Sequence, residues 1–135
     1  MLHILLIDDD EDEHLFFQWS VEKLQPGVEL TCVFSGSHAF ELLPKIIPDF
    51  IFVDINLPGD DGFECLNAIR KLHQLQDVPV YMYSTEINET SLQKAGMMGA
   101  TGCLKKSRNH EELASTIRQK LNLQGKEFHR NMLMK

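Results

Sequence analysis

Phe50–Gly62, FIFVDINLPGDDG, is the stretch whose reading decides the fold. An apolar run from Phe50 to Val53 ends abruptly in Asp54, and a turn of Leu57, Pro58, Gly59, Asp60, Asp61 and Gly62 follows. A short apolar run closed by turn residues reads as a strand buried on both faces. A carboxylate at the carboxyl end of such a strand lies at the edge of a parallel sheet, where open α/β folds place their chemistry.

Working outward, the same pattern recurs. Upstream, Leu2–Ile7 is a strand ending in the acidic run Asp8–Glu13. Those acids suit the positive end of a helix expected from Asp10 or Glu11 to about Gln25, with Phe17, Val21 and Leu24 as its apolar row, broadened by Phe16 and Trp19. Pro26-Gly27 stops that helix. Val28–Phe34 alternates as an edge strand with one wet face. A helix from about Ser37 to Ile47 turns Phe40, Leu43 and Ile47 inward, and Pro44 kinks or shortens it. Downstream, a helix is expected over Asp61 to Gln74, a strand over Val78–Tyr83 with Pro79 near its start, and a helix over Asn88 to Met98 that Gly96 and Gly99 loosen. A short strand Thr101–Lys105 and a helix Asn109 to Leu121 close the domain, the helix with Leu113, Ala114, Ile117 and Leu121 on one face.

Strands alternating with helices imply an α/β fold with helices on both faces of a parallel sheet. The first, third and fourth strands are the most continuously apolar and belong at the centre. The second and fifth belong at the edges. The expectation is therefore a flavodoxin-like, doubly wound, five-stranded sheet in the order 2-1-3-4-5. Residues 1–123 form the domain, and 124–135 form a tail. Two readings of the tail stand: a helical extension docking on the domain or on a second copy in a homodimer, and fraying disorder.

The 135 residues suffice for one core without staples. A net charge of −7 argues against a general nucleic-acid binder. Cys32, Cys65 and Cys103 show no metal spacing and read as free buried thiols in a reducing compartment. The histidines lack ligand spacing, and Met97-Met98 and Trp19 read as helix packing. The amino-terminal apolar stretch is too short for a signal peptide or a membrane span, so the expectation is a cytoplasmic protein without a membrane anchor.

In this topology Asp8, Asp9 and Asp54 converge at the switch point of the sheet. Three carboxylates in one pocket repel one another unless a cation is bound or some stay protonated. Hard oxygen ligands on strand ends suit Mg²⁺ retaining several waters. The fourth strand ends in Ser84-Thr85, small hydroxyls able to donate a hydrogen bond, and the fifth in Lys105-Lys106. A carboxylate nucleophile, a metal, a hydroxyl and a lysine fit phosphoryl transfer to an aspartate.

Asp8-Asp9 after LLI, FVDINLPGDDGFE, VPVYMYST and GATGCLKK, in this order, resemble the response-regulator receiver domain of two-component signalling over about Leu2 to Leu123. The likeness is to a stand-alone receiver similar to the chemotaxis response regulator. It implies Asp54 as phosphoacceptor and Mg²⁺ held by Asp8, Asp9, Asp54 and the backbone carbonyl of Asn56. It implies Ser84, with Thr85 beside it, as the phosphoryl-binding switch, and Lys106 as ion-pair partner of Asp54; Lys105 reads as surface. Side chains at Asn56 and Glu86 tune dephosphorylation in that family.

The implied function is a single-domain response regulator in a phosphorelay. Its partners would be a sensor histidine kinase or histidine phosphotransfer protein and a downstream protein. No DNA-binding domain and no membrane contact are expected, and the chain would not be an enzyme beyond its own phosphorylation and dephosphorylation. Two departures stand out. Cys103 occupies the place of an aromatic switch residue, and Ser107 follows Lys106 where proline is usual, so a trans bond is expected there, a non-proline cis bond costing about 3 kcal/mol. Thr85 is bulkier than the Ala or Gly often found there and narrows access. The alternatives are a phosphorylation-independent interaction module and, remotely, a small Mg²⁺-dependent phosphatase. A calcium loop is disfavoured, since, counted from Asp8, Glu13 stands where it needs glycine and Trp19 where it needs glutamate. FMN binding is disfavoured by the acids after the first strand.

Overall fold

The computed structural model describes residues 2–24, 28–43, 45–58 and 61–123. The expectations for the Pro26-Gly27 stop, the Pro44 kink, Gly59 and Asp60 of the turn, and the tail 124–135 lie outside them. The strands are β1 Leu2–Ile7, β2 Val28–Val33, β3 Phe50–Asp54, β4 Val80–Ser84 and β5 Gly102–Lys105. The helices are α1 Glu11–Glu22, α2 Gly36–Leu42, α3 Gly62–Arg70, α4 Glu89–Met97 and α5 His110–Leu123, with a 3-10 turn at His73–Leu75. All strand pairs are parallel and the sheet order is β2-β1-β3-β4-β5, as expected.

Period-two alternation sorts the strand side chains into two cores. Leu2, Ile4, Leu6, Phe50, Phe52, Tyr81 and Tyr83 face α1 and α5, meeting Phe17, Val21, Leu113 and Ile117. Leu5, Ile7, Ile51, Val53, Val80 and Met82 face α2, α3 and α4, meeting Ala39, Leu66, Ile69 and Ala95. Because β1, β3 and β4 are covered on both sides, they need apolar residues at nearly every position. Short polar side chains cap the helices: Asp10, Ser35, Asp61 and Asn88 each accept a backbone N–H of the first turn.

Several expectations fail at element ends. α2 stops at Leu42, so the helical spacing no longer applies at Ile47, which is exposed rather than inward. α3 ends at Arg70 instead of Gln74 because Leu72 turns extended, and the 3-10 turn that follows buries Leu75. β4 starts at Val80, and Pro79 joins the sheet through its carbonyl, which accepts Ile51 N–H at 3.0 Å. Phe34 lies beyond β2, exposed, its ring 4.5 Å from that of His14.

Trp19, expected to pack, is 54% exposed. Met97 is 89% exposed, while Met98 packs on the α3–α4 core. None of the three cysteines is in a disulfide, and of them Cys65 is buried while Cys32 and Cys103 are half-buried. Burial, with Asp8 nearby, pushes the Cys32 thiol up to about 11. Among the described residues no helix is long and apolar enough to cross a membrane.

Candidate functional site

The carboxyl ends of β1, β3, β4 and β5 bring the expected residues together. Register pairs Ile7 with Val53 and Asp54 with Tyr83, so the residues that end β1 and β3 meet where the order reverses. Asp8, Asp9 and Asp54 offer ligand oxygens that all lie within 4.8 Å of one another. Asp8 is 0% and Asp54 4% exposed, while Asp9 faces solvent. Lys106, just past β5, places its ammonium 2.8 Å from Asp8 Oδ2 and 3.4 Å from Asp54 Oδ2.

The second carboxylate oxygen of each buried acid takes a backbone donor. Asp10 N–H donates to Asp8 Oδ1 at 2.9 Å, and Asn56 N–H donates to Asp54 Oδ1 at 3.1 Å. Gly62 makes the turn after β3 possible: a Cβ there would stand 2.1 Å from the Asp54 carbonyl oxygen. Ser84 is 3% exposed at the end of β4 and accepts Glu86 N–H at 3.3 Å, while its carbonyl accepts Lys106 N–H at 2.7 Å. Thr85, Glu86, Asn56 and Lys105 are exposed. Thr85 lines a cleft of about 740 Å³ with acids Asp10, Asp12 and Glu13 on one wall and Lys106 and Arg108 on the other. The Lys106–Ser107 peptide bond is trans. Cys103 lies on β5 opposite Met82, partly buried on the α3–α4 side.

Electrostatics follow from burial. Desolvation raises the carboxyls of both Asp8 and Asp54 above the usual range, against the pull of Lys106. Desolvation lowers Lys106, but its hydrogen bond with Asp8 and the negative charges of Asp8, Asp54 and Glu13 outweigh it, and the ammonium is held more firmly than usual. One cation between two buried anions leaves a net negative pocket. Among the described residues, Asp8 Oδ2 has no hydrogen-bond donor aligned with it apart from the Lys106 ammonium. Buried, hard and under-coordinated oxygen is the donor chemistry a small divalent cation requires, so the residues fit Mg²⁺.

Two contacts escaped the reading of the sequence. Tyr83 O–H donates to Glu13 Oε1 at 2.5 Å, and the His14 ring Nε2 bonds the Asp8 carbonyl at 2.7 Å. A tyrosine in a fully buried strand was the available signal, since its hydroxyl needs a partner. The acids at the start of α1 were the candidates within reach.

Comparison with known proteins places this geometry. The curated sensor histidine kinase CheAY of Helicobacter pylori is 25% identical over 124 residues, which cover 90% of this chain and 15% of that much longer protein. The solved structure of chemotaxis protein CheY4 from Vibrio cholerae is 29% identical with a TM-score of 0.80, covering 88% of this chain and 98% of that one. The Mn²⁺-bound form of response regulator Rcp1 is 26% identical with a TM-score of 0.76, covering 90% and 92%. The family model of the response regulator receiver domain matches residues 4–118. With that match and the strand order and acidic cluster already described, the chain belongs to the response regulator receiver domains of two-component signalling.

Proposed function

We propose that Asp54 accepts a phosphoryl group from a phosphohistidine donor, a sensor histidine kinase or a histidine phosphotransfer protein, and that this switches a protein–protein contact. The observation that carries the reading is the convergence of Asp8, Asp9 and Asp54 within 4.8 Å, with the Lys106 ammonium against the two buried ones. An Asp54 oxygen attacks phosphorus, the O–P bond forms as the N–P bond breaks, and the electron pair returns to the imidazole, which takes a proton from solvent. Water later attacks the acyl phosphate, releasing inorganic phosphate and restoring the carboxylate.

Asp8, Asp9, Asp54 and the Asn56 carbonyl would hold Mg²⁺. When bound, it supplies positive charge that offsets the phosphoryl oxygens and lets the acids ionise together. A Mn²⁺-bound structural neighbour supports a divalent ion at such a site. Ser84 donates its hydroxyl to the phosphoryl group and Lys106 neutralises it, so both loops draw inward. The side chains of Asn56 and Glu86 are exposed, and in this reading they tune the approach of water, while Thr85, which lines the cleft, narrows the entrance. Beyond its own phosphorylation and hydrolysis the chain turns over no substrate.

The half-buried Cys103 favours a second reading, a receiver used as an interaction module whose partner affinity ignores phosphorylation. Incubation with acetyl phosphate and Mg²⁺, followed by intact mass, tests the first. Wild type is expected to gain one phosphoryl group only with Mg²⁺, and Asp54→Asn none. Absence of an adduct in wild type under every divalent ion would overturn the phospho-switch and leave the module.

A further inference from the structure

Among the described residues Tyr83 is the bulkiest fully buried side chain, yet it carries a hydroxyl. Its ring is held edge-on by Phe17 at 5.6 Å, and the Lys106 ammonium lies 5.2 Å from the ring centroid. Its backbone pairs with Asp54 in the sheet, and its carbonyl accepts Ile55 N–H at 3.0 Å. The next residue is Ser84, whose carbonyl accepts Lys106 N–H. Tyr83 is thus joined, through backbone or ring, to Asp54, Ser84 and Lys106 together.

Its hydroxyl reaches the other way, across 70 residues of chain, to Glu13 in the first turn of α1. That turn is otherwise anchored at Asp8, through Asp10 N–H to Asp8 Oδ1 and the His14 ring to the Asp8 carbonyl. One end of α1 is therefore tied both to the acidic cluster and to the strand that carries Ser84. Cys103 lies on the opposite side of the sheet, with Met82 and Ala95, and has no ring to rotate. A charge-assisted hydrogen bond from a rigid, fully packed phenol transmits displacement far better than a small, half-buried thiol.

We propose that the Tyr83–Glu13 hydrogen bond carries the phosphoryl-dependent movement of Ser84 and Lys106 to α1, making the α1–α5 side of the sheet the responding surface in place of the side on which Cys103 sits. Tyr83 and Glu13 are positioning residues in this scheme, and the coupling rests on the phosphoryl site proposed above. When Ser84 and Lys106 turn towards the phosphoryl group, the end of β4 shifts, the hydroxyl shifts with it, and Glu13 draws the first turn of α1 along.

The test is backbone hydrogen exchange of the full chain, with and without beryllium fluoride and Mg²⁺ as a stable phosphoryl stand-in, while fluorine resonance reports whether that ligand is bound. In wild type and in Glu13→Gln, which keeps the acceptor, exchange at residues 14–18 is expected to slow roughly threefold or more on binding. In Tyr83→Phe and Glu13→Ala it is expected to change less than about 1.5-fold, with bound fluoride still visible. Equal slowing in Glu13→Ala and wild type would overturn the coupling, and that variant, at a half-buried position of α1, keeps the test should Tyr83→Phe fail to fold. Bound fluoride with α1 unchanged in wild type would overturn the coupling alone. No bound fluoride in wild type would overturn the phosphoryl site and the coupling with it.

Discussion

Asp8 and Asp54 hold their carboxyls where water hardly reaches, and burial lifts both above the usual value of 3.8. A raised carboxyl binds its proton more tightly folded than unfolded, so stability is present at low pH and is lost as pH rises through the raised value. Replacing Asp54 by Asn removes one such group. In metal-free buffer the variant's gain in urea midpoint over wild type should be small near about pH 4 and grow towards about pH 7. Added Mg²⁺ should close the gap by stabilising wild type alone. A gap that shrinks on the way to neutrality would contradict this reading of the pocket. Lys106 works in the opposite sense. Its ammonium stands against both buried acids, and Lys106→Met leaves them without a cation. That change should cost on the order of 3 kcal/mol without Mg²⁺ and less with it, measured by urea unfolding.

At the scale of the elements, the site depends on how tightly β3 turns into α3. Gly62 N–H donates to the Ile55 carbonyl, and a side chain there would collide with the backbone of Asp54 and Ile55. Gly62→Ala should cost about 1–3 kcal/mol and, by shifting Asp54, slow phosphorylation by acetyl phosphate. Unchanged stability and rate together would show that the turn yields more easily than its packing suggests. The strands were legible because burial on both faces demands unbroken apolar runs, as in Phe50–Val53. The helix ends were not. α2 stops five residues short of Ile47: the apolar spacing of Phe40, Leu43 and Ile47 runs past the end, and Pro44 alone signalled a shorter helix. The acid at position 13 read as a helix-dipole partner, and that remains true of it. Its bond to Tyr83 joins α1 to β4, and contacts between elements so far apart in sequence follow from the fold and not from local pattern.

Across the whole molecule, the strand order, the helices on both faces of the sheet and the convergence of Asp8, Asp9 and Asp54 at one sheet edge could be read from residues alone. Surface placement was harder, because a lone Trp or Met carries no sign of which way it faces. Trp19 lies beside the apolar row of its helix in the sequence, yet it is 54% exposed. The two kinds of aromatic should separate cleanly in denaturant. Phe52, fully buried with rings of Phe17 and Tyr81 at 5.3 and 5.5 Å, should cost about 3–5 kcal/mol on truncation to Ala. Trp19→Ala should stay within about 0.5 kcal/mol. The central claim is that one carboxylate of this acidic chain becomes an acyl phosphate. Borohydride reduction of the phosphorylated chain, followed by peptide mass mapping, tests it most directly, because hydride converts an aspartyl phosphate to homoserine and leaves free carboxylates alone. Homoserine at position 54, formed only after treatment with acetyl phosphate and Mg²⁺, is the result expected. Homoserine at position 8 or 9, or none at all, would contradict it.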